Sequence, residues 1–448
     1  MAREDERVVV LGAGMAGLLA AGAAAGSGRE VVVVDRDDLP GLDDTPAPRR
    51  GIPQGRHAHG LLARGQQVLE ELFPGFTADL VAEGVPAGDL GYDARWHVDG
   101  RRLATGTSGL TFLCASRPCL EARVRARVAA LPGVTVLDAT TAEAPIADDR
   151  GRRIVGVRIR HRDGRDEIAD ADLVVDATGR GSRAPGWLED LGYPRPDSER
   201  VSVGLGYASR IYRTPAALAP ALAVLYAPGP TRPRGGGLQV LEGDRVMVTL
   251  AGVAGDHPPL EPRGFLDFAR DLPVVHDVLR DAEPLDEPVG FRFPTPTRRH
   301  YARLPAAPEG LIVLGDGLCS LNPIYAQGMT VAGLQALALR QHLGAGPLRT
   351  RPLQRALAAV ADTPWTMMLG ADTALPGVEI PLDRATRAVG AYLARLQAAA
   401  VVDPTVAGAF LRVVGLVDPP GSLVRPRVAV PVLRHALSSR RDRTPAAS

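Results

Sequence analysis

The chain has no lysine: all 52 of its basic residues, in 448, are arginine. That absence excludes Schiff-base chemistry and a lysine general base from the outset. Together with abundant alanine, glycine and proline it reads as high-GC coding. A charge surplus is missing too, since 52 basic against 51 acidic residues leave a formal net charge of +1. Such a chain offers no field to hold a nucleic acid or an anionic membrane, and small-molecule chemistry is the expectation. Cysteine is scarce: Cys114, Cys119 and Cys319 are an odd number without metal-ligand spacing, and a reducing cytosol suits them better than a disulfide framework. The nine histidines include no HExxH pair, so no metal is expected. No internal repeat is visible. The one long uncharged run, "VVVLGAGMAGLLAAGAAAG" at 8–26, is expected to be neither a membrane span nor a leader. Its glycines would interrupt a span, and the acidic "REDE" before it is the wrong flank for a signal. A cytoplasmic protein without an integral membrane segment or nucleic-acid partner is therefore expected.

What is present is an ordinary globular composition, 45% hydrophobic and 23% charged, in a chain long enough for two or three structural units. "RVVVLGAGMAGLLAAGAAAGSGREVVVVDRD" reads as strand, glycine turn, helix and strand. Gly12 permits the tight turn, Gly14 lets a pyrophosphate approach, and Gly17 allows close helix packing. The helix start at Met15 and Ala16 supplies N–H donors for the phosphate. Asp35 follows Gly17 by 18 residues, close to the ~20 expected of an acid accepting from a ribose hydroxyl. The pattern implies dinucleotide binding, without a choice between NAD and FAD.

Two further stretches narrow it. "ADADLVVDATGRGSR" (169–183) is a strand with Asp176 at its end and a glycine turn after it. "GLIVLGDGLCSLNPIYAQGMT" (310–330) is another strand, then Gly315-Asp316, then a loop and a helix start. The order of the three motifs resembles the class A flavin-dependent monooxygenases, the para-hydroxybenzoate hydroxylase type, over roughly residues 7–345. Within that superfamily, "GIPQGRHAHGLLARG", "DATGRGSR", "RRHYARL" and "GDGLCSLNPIYAQGMT" look most like the actinobacterial FAD-dependent epoxidases of polyether, polyketide or terpenoid pathways. Two departures stand out: "DATG" where the hydroxylases more often show Gly-Ala-Asp-Gly, and Cys319 where they often have histidine.

The resemblance implies an α/β fold with a Rossmann-like FAD-binding domain of the glutathione-reductase type, an inserted β-sheet substrate domain and a carboxy-terminal helical region. The expected limits are 1–90, 105–200 and 293–345 for the FAD domain, 91–104 and 201–292 for the sheet domain, and 346–448 for the helices, with a disordered tail "SSRRDRTPAAS". Inside the sheet domain, "RGFLDFARDLPVVHDVLRD" is expected as a helix, and 227–237 as either a hairpin loop or a mobile gate. The resemblance also implies non-covalent FAD, reduced by NADPH or NADH, and oxygen transfer through a flavin C4a-hydroperoxide. Asp35 and its neighbour Arg36 match the adenosine-ribose contacts, Arg56 or His57 the pyrophosphate loop, and Arg117 a ribose or pyrophosphate contact. Asp316 matches the ribityl acceptor, and Pro323, Gln327, Gly328 and Met329 the loop beside the isoalloxazine. With the middle-motif Asp176 these complete the expected cofactor set.

Transfer of an electrophilic oxygen to an alkene needs water exclusion and placement more than an acid or base. No catalytic side chain is therefore singled out beyond the candidates Tyr325 and Pro323, and Cys319 is expected to be buried filling. Tyr92, Trp96, Phe291 and Phe293 are the candidates for lining an apolar substrate cavity. The leading expectation is epoxidation of a large apolar polyketide or terpenoid in secondary metabolism, with O2 as co-substrate. Aromatic hydroxylation and a geranylgeranyl-reductase-like saturation on the same fold stay open.

Overall fold

A computed structural model describes residues 6–213, 219–293, 295–379 and 383–441. Its centre is a five-stranded parallel sheet in the spatial order Leu311–Val313, Leu173–Asp176, Arg7–Leu11, Glu30–Val34, Val134–Leu137. Buried on both faces, parallel strands read as continuous apolar runs, and Val8, Val9, Val10 and Leu11 are all at or below 1% exposure. Each such side chain contributes roughly 1.5–3 kcal/mol. Helix Met15–Ala25 lies against this sheet, wedged between helices Arg117–Ala129 and Gly328–Gly344. Small residues make the wedge possible: a Cβ at Gly22 would stand 2.7 Å from the Phe73 ring.

Over one side lies an eight-stranded sheet, largely antiparallel, whose path runs from Glu283–Pro284 through Leu205–Arg213, Arg245–Gly252, Arg234–Leu241 and Ala223–Ala227 to Ala94–Val98 and Arg101–Arg102. Strand Val289–Phe293 also pairs with Leu205–Arg213. Period-two alternation divides its residues between two faces. Ala208 and Tyr212 join a core with Phe265, Phe268, Leu272 and Val275, whereas Leu205 and Tyr207 belong to a separate apolar cluster with Phe293. The segment expected as one helix is two, Pro262–Phe268 and Pro273–Asp281, because Pro273 cannot continue the first. Residues 227–237 divide between a short turn and the start of strand Arg234–Leu241, where Gly237 fits because a Cβ would come within 2.0 Å of the Val224 carbonyl.

The carboxy-terminal region is helical, as expected: Thr350–Val360, Asp362–Asp372, Arg384–Ala400, Pro404–Val414 and Pro426–Arg441. Asp383 and Asp403 cap two of these by accepting from Thr386 N and Thr405 N at 2.7 and 2.8 Å. The last helix extends to Arg441, into the stretch expected as a tail; 442–448 lie outside the described residues. No helix of the described residues is long and apolar enough to cross a membrane.

At Gly17 a Cβ would fall 1.7 Å from the Gly12 carbonyl oxygen. Gly17→Ala is accordingly expected to lower stability by about 1–3 kcal/mol, the cost of overpacking, and to abolish flavin retention, read by denaturant unfolding and by the visible absorbance of the purified protein.

Candidate functional site

The carboxyl ends of the central strands carry the site. Gly12 has φ of +97° and turns the chain, its N–H donating to the Val34 carbonyl at 2.8 Å. Gly14 caps the helix that begins at Met15, and beside it only Ile52 comes near, at 3.6 Å from a would-be Cβ. Asp35, 7% exposed, accepts from Ala13 N at 2.5 Å and from Asp37 N at 2.8 Å. Its carboxylate thus faces the glycine turn, where a ribose would need it. Arg36 is exposed.

A residue outside the sequence-based set completes this end. Arg49 reaches Glu121 at 2.6 Å, Asp37 at 2.9 Å and Asp35 at 3.3 Å, and donates to the Ala13 carbonyl at 2.7 Å. Burial opposes its charge, but Glu121 and Asp35 outweigh burial and raise the guanidinium above its ordinary value. Arg49 stands two residues before the "GIPQGRHAHGLL" stretch, and only the chain's return toward Asp35 reveals its role. Arg56, at the end of the turn Pro53–Arg56, is exposed. Arg117 opens helix Arg117–Ala129, buried, and pairs with Glu121 at 3.2 Å.

Asp176 is a correction. It is fully buried and consumed by its own turn, accepting from Thr178 N at 2.9 Å and from the Thr178 and Ser182 hydroxyls. With three donors already in place, it shapes the turn rather than offering itself to a cofactor.

Asp316 is the opposite case. No hydrogen bond to its carboxylate occurs among the described residues. Burial raises its pKa, with Arg180 and Arg117 acting against that shift. It faces Gly328, at 4.0 Å from a would-be Cβ, where helix Gly328–Gly344 begins with free backbone N–H groups. Gln327 Oε1, at the cap of this helix, Arg180 Nη1, whose guanidinium acts on Asp316, and His57 Nε2 are also buried without partners among the described residues. An acid acceptor, helix N–H donors and orphaned polar atoms fit the ribityl chain and ring edge of a flavin. Met329 is buried at the helix start.

The large sheet supplies the roof. His57 is 2% exposed, its Nδ1 lies 2.8 Å from Ser209 Oγ, and its ring packs edge-on against Tyr207 at 4.6 Å. Burial, then Arg56, lowers its pKa to about 4, so at pH 7 it is a neutral imidazole. His59 is lowered further, to about 3, by burial and Arg117. The Arg180 guanidinium lies 5.5 Å from the Phe291 ring and 5.1 Å from that of Phe293. Phe293, Leu205, Tyr207 and Leu375 form an apolar cluster with Phe291 and with Ile324 of the flavin loop.

Tyr92 and Trp96 are placed elsewhere. Strand Ala94–Val98 is separated from Val289–Phe293 by four strands, so the two stand roughly 24 Å apart at the ~4.8 Å strand spacing. Tyr92 is 62% exposed beside an outer cleft with Arg95 and Arg102, and Trp96 packs with Leu396 and Val406 of the carboxy-terminal helices.

Pro323 begins the turn Pro323–Tyr325. The Tyr325 hydroxyl, rather than pointing freely toward reactants, donates to Asp372 at 2.8 Å, and burial raises its pKa far above the ordinary value. Cys319 is 2% exposed, its thiol pushed up to about 12 by burial, which rules it out as a nucleophile at neutral pH. Among the described residues no group of three potential metal ligands occurs.

Residues 7–185 match the model of the family "FAD dependent oxidoreductase". The chain is 36% identical over 434 residues to Protein Rv3254 of Mycobacterium tuberculosis, covering 92% of this chain and 90% of that one. It is 28% identical over 420 residues to kynurenine 3-monooxygenase of Salinispora arenicola, covering 86% and 82%. A flavoprotein/dehydrogenase from Cytophaga hutchinsonii shares the fold at a TM-score of 0.68 and 15% identity, over 97% of this chain and 100% of that one.

Removing Arg49 would take the cation from Asp35 and Asp37 and leave Glu121 with Arg117 alone. Arg49→Ala is expected to weaken FAD binding about 10–100-fold, the equivalent of a lost buried charge-assisted contact, measured by flavin fluorescence titration. Asp316→Ala should yield protein without bound flavin, whereas Cys319→Ser should retain both flavin and near-normal turnover.

Proposed function

We propose, for a chain that belongs to the FAD-dependent oxidoreductases and is a flavin-dependent monooxygenase, that its substrate is a large apolar polyketide or terpenoid and its reaction the epoxidation of an alkene. The observation that carries this reading is the apolar cluster of Leu205, Tyr207, Phe291, Phe293, Ile324 and Leu375 between the roof sheet and the flavin loop. FAD bound there would supply the oxygen-transfer chemistry, with a nicotinamide as reductant. The protein's share is placement and dryness. Asp35 and Arg49 would hold the adenosine end, Asp316 would accept from the ribityl chain, and backbone N–H groups of Gly328 and Met329 would donate to the ring edge. Neutral His57, anchored by Ser209, offers a polar edge without adding charge. The roof excludes water that would otherwise divert the oxygen. On this reading 91–104 and 201–292 form the substrate unit and the remainder up to 345 the FAD unit.

A second reading, hydroxylation of an aromatic ring, draws support from the likeness to a kynurenine 3-monooxygenase. It would employ the Arg180 guanidinium between Phe291 and Phe293 as the contact for an acidic substituent.

The deciding measurement supplies the FAD-loaded protein with NAD(P)H, isotopically labelled O2, and panels of polyenes and of aromatic acids, and weighs the products. Epoxidation predicts a polyene product heavier by one labelled oxygen with one alkene lost. An oxygenated ring from the aromatic panel alone would establish the second reading. A product carrying two added hydrogens and no label would replace both with a reductase.

A further inference from the structure

Asp372 ends helix Asp362–Asp372 and is fully buried, outside the span of the dinucleotide motifs. A buried carboxylate is normally matched by a cation. Here, among the described residues, the groups acting on it are Tyr325 and Asn322, and both donate to the same oxygen: Asn322 Nδ2 at 2.9 Å and the Tyr325 hydroxyl at 2.8 Å reach Oδ1. Oδ2 is buried with no partner.

The two donors bracket the flavin loop. Asn322 is fully buried and is the one asparagine in 448 residues, in a composition that has also shed lysine altogether. Its backbone N–H donates to Met368 Sδ at 3.1 Å and its Oδ1 accepts from Ile324 N at 3.2 Å, so a single residue ties the loop to the helix. Immediately after Tyr325, Ala326 is held at φ +53°, a left-handed conformation that a non-glycine residue keeps only where its surroundings enforce it.

We propose that Asp372 is a positioning residue: its ionised carboxylate pins loop 322–326 beside the flavin, and a proton taken from water onto Oδ2 weakens that pin. The inference rests on the reading that flavin lies against this loop. Burial raises the Asp372 pKa to about 6, with Tyr325 and Asn322 opposing. The pin is therefore made above pH 6 and loosened below it. Tyr325 is the titratable group facing it from the loop. On its own helix the other ionisable side chain, Asp362, sits at the far end and pairs with Arg298.

A folded pKa above the unfolded ~3.9 means that the native state binds more protons between about pH 4 and 6, so stability falls as pH rises through that window. An acid retained at this cost in stability suits a residue kept for placement.

The test monitors FAD-loaded wild type, Asp372→Asn and Tyr325→Phe by bound-flavin absorbance and fluorescence from pH 5 to 8, with melting temperature measured from pH 4 to 7. Wild type should show one flavin transition with a midpoint near pH 6. Asp372→Asn should lack it and lose the downward slope of melting temperature. Tyr325→Phe, having removed a donor that favours the anion, should shift the midpoint upward. A wild type without the transition, or an Asp372→Asn protein that keeps it, would overturn the proposal. If Asp372→Asn does not fold, the direction of the Tyr325→Phe shift decides instead. Protein that binds no flavin would sink the cofactor reading. The infrared carbonyl band of a buried protonated acid, absent or present below pH 6 in the apoprotein, would then still decide the ionisation of Asp372.

Discussion

Three acids stand at or just past the carboxyl ends of three strands of one parallel sheet, and the site depends on how differently each is satisfied. Asp35 is held by backbone N–H groups and by Arg49. Asp176 accepts from two hydroxyls and an amide of its own turn. Asp316 accepts nothing from the described residues, with Arg180 and Arg117 close enough only to temper the cost of its burial. Concentrating negative charge at one sheet edge is unfavourable unless each carboxylate finds its donors. Two find them within the protein, and the third finds none among the described residues. Ligands of open α/β sheets gather at this edge, where the three acids differ in how many donors they already have.

The eight-stranded sheet and the carboxy-terminal helices finish what the dinucleotide fold begins. One face of the sheet is closed by its own helices through Phe265 and Phe268, and the other cluster draws in Ile324 and Leu375. The flavin loop is thereby shared among three parts of the chain.

Local features were legible in the amino-acid sequence because their physics is local. The β-branched runs, the glycines of the first turn and the 18-residue interval to Asp35 each reflect backbone geometry over a few residues. The features that escaped are long-range. Asp176 and Asp316 look alike as acids closing apolar strands, and the difference lies in the residues downstream of each: "DATGRGS" brings hydroxyls back to its aspartate, whereas "GDGLCS" sends its serine into a strand. Arg49, Arg180 and Asp372 acquire their roles only by meeting residues far away in the chain. Trp96 and Tyr92 were misplaced because an alternating segment announces a strand without announcing its rank in the sheet.

Ser116 shows how the roof is fastened. Its hydroxyl accepts from Cys119 N to cap helix Arg117–Ala129 and donates to Glu242, and its N–H donates to the same carboxylate, which belongs to the hairpin between strands Arg234–Leu241 and Arg245–Gly252. A sheet that swung open at this hairpin would break both bonds from Ser116 and leave the Glu242 carboxylate with Arg245 alone. The hairpin is therefore a rivet, not a hinge.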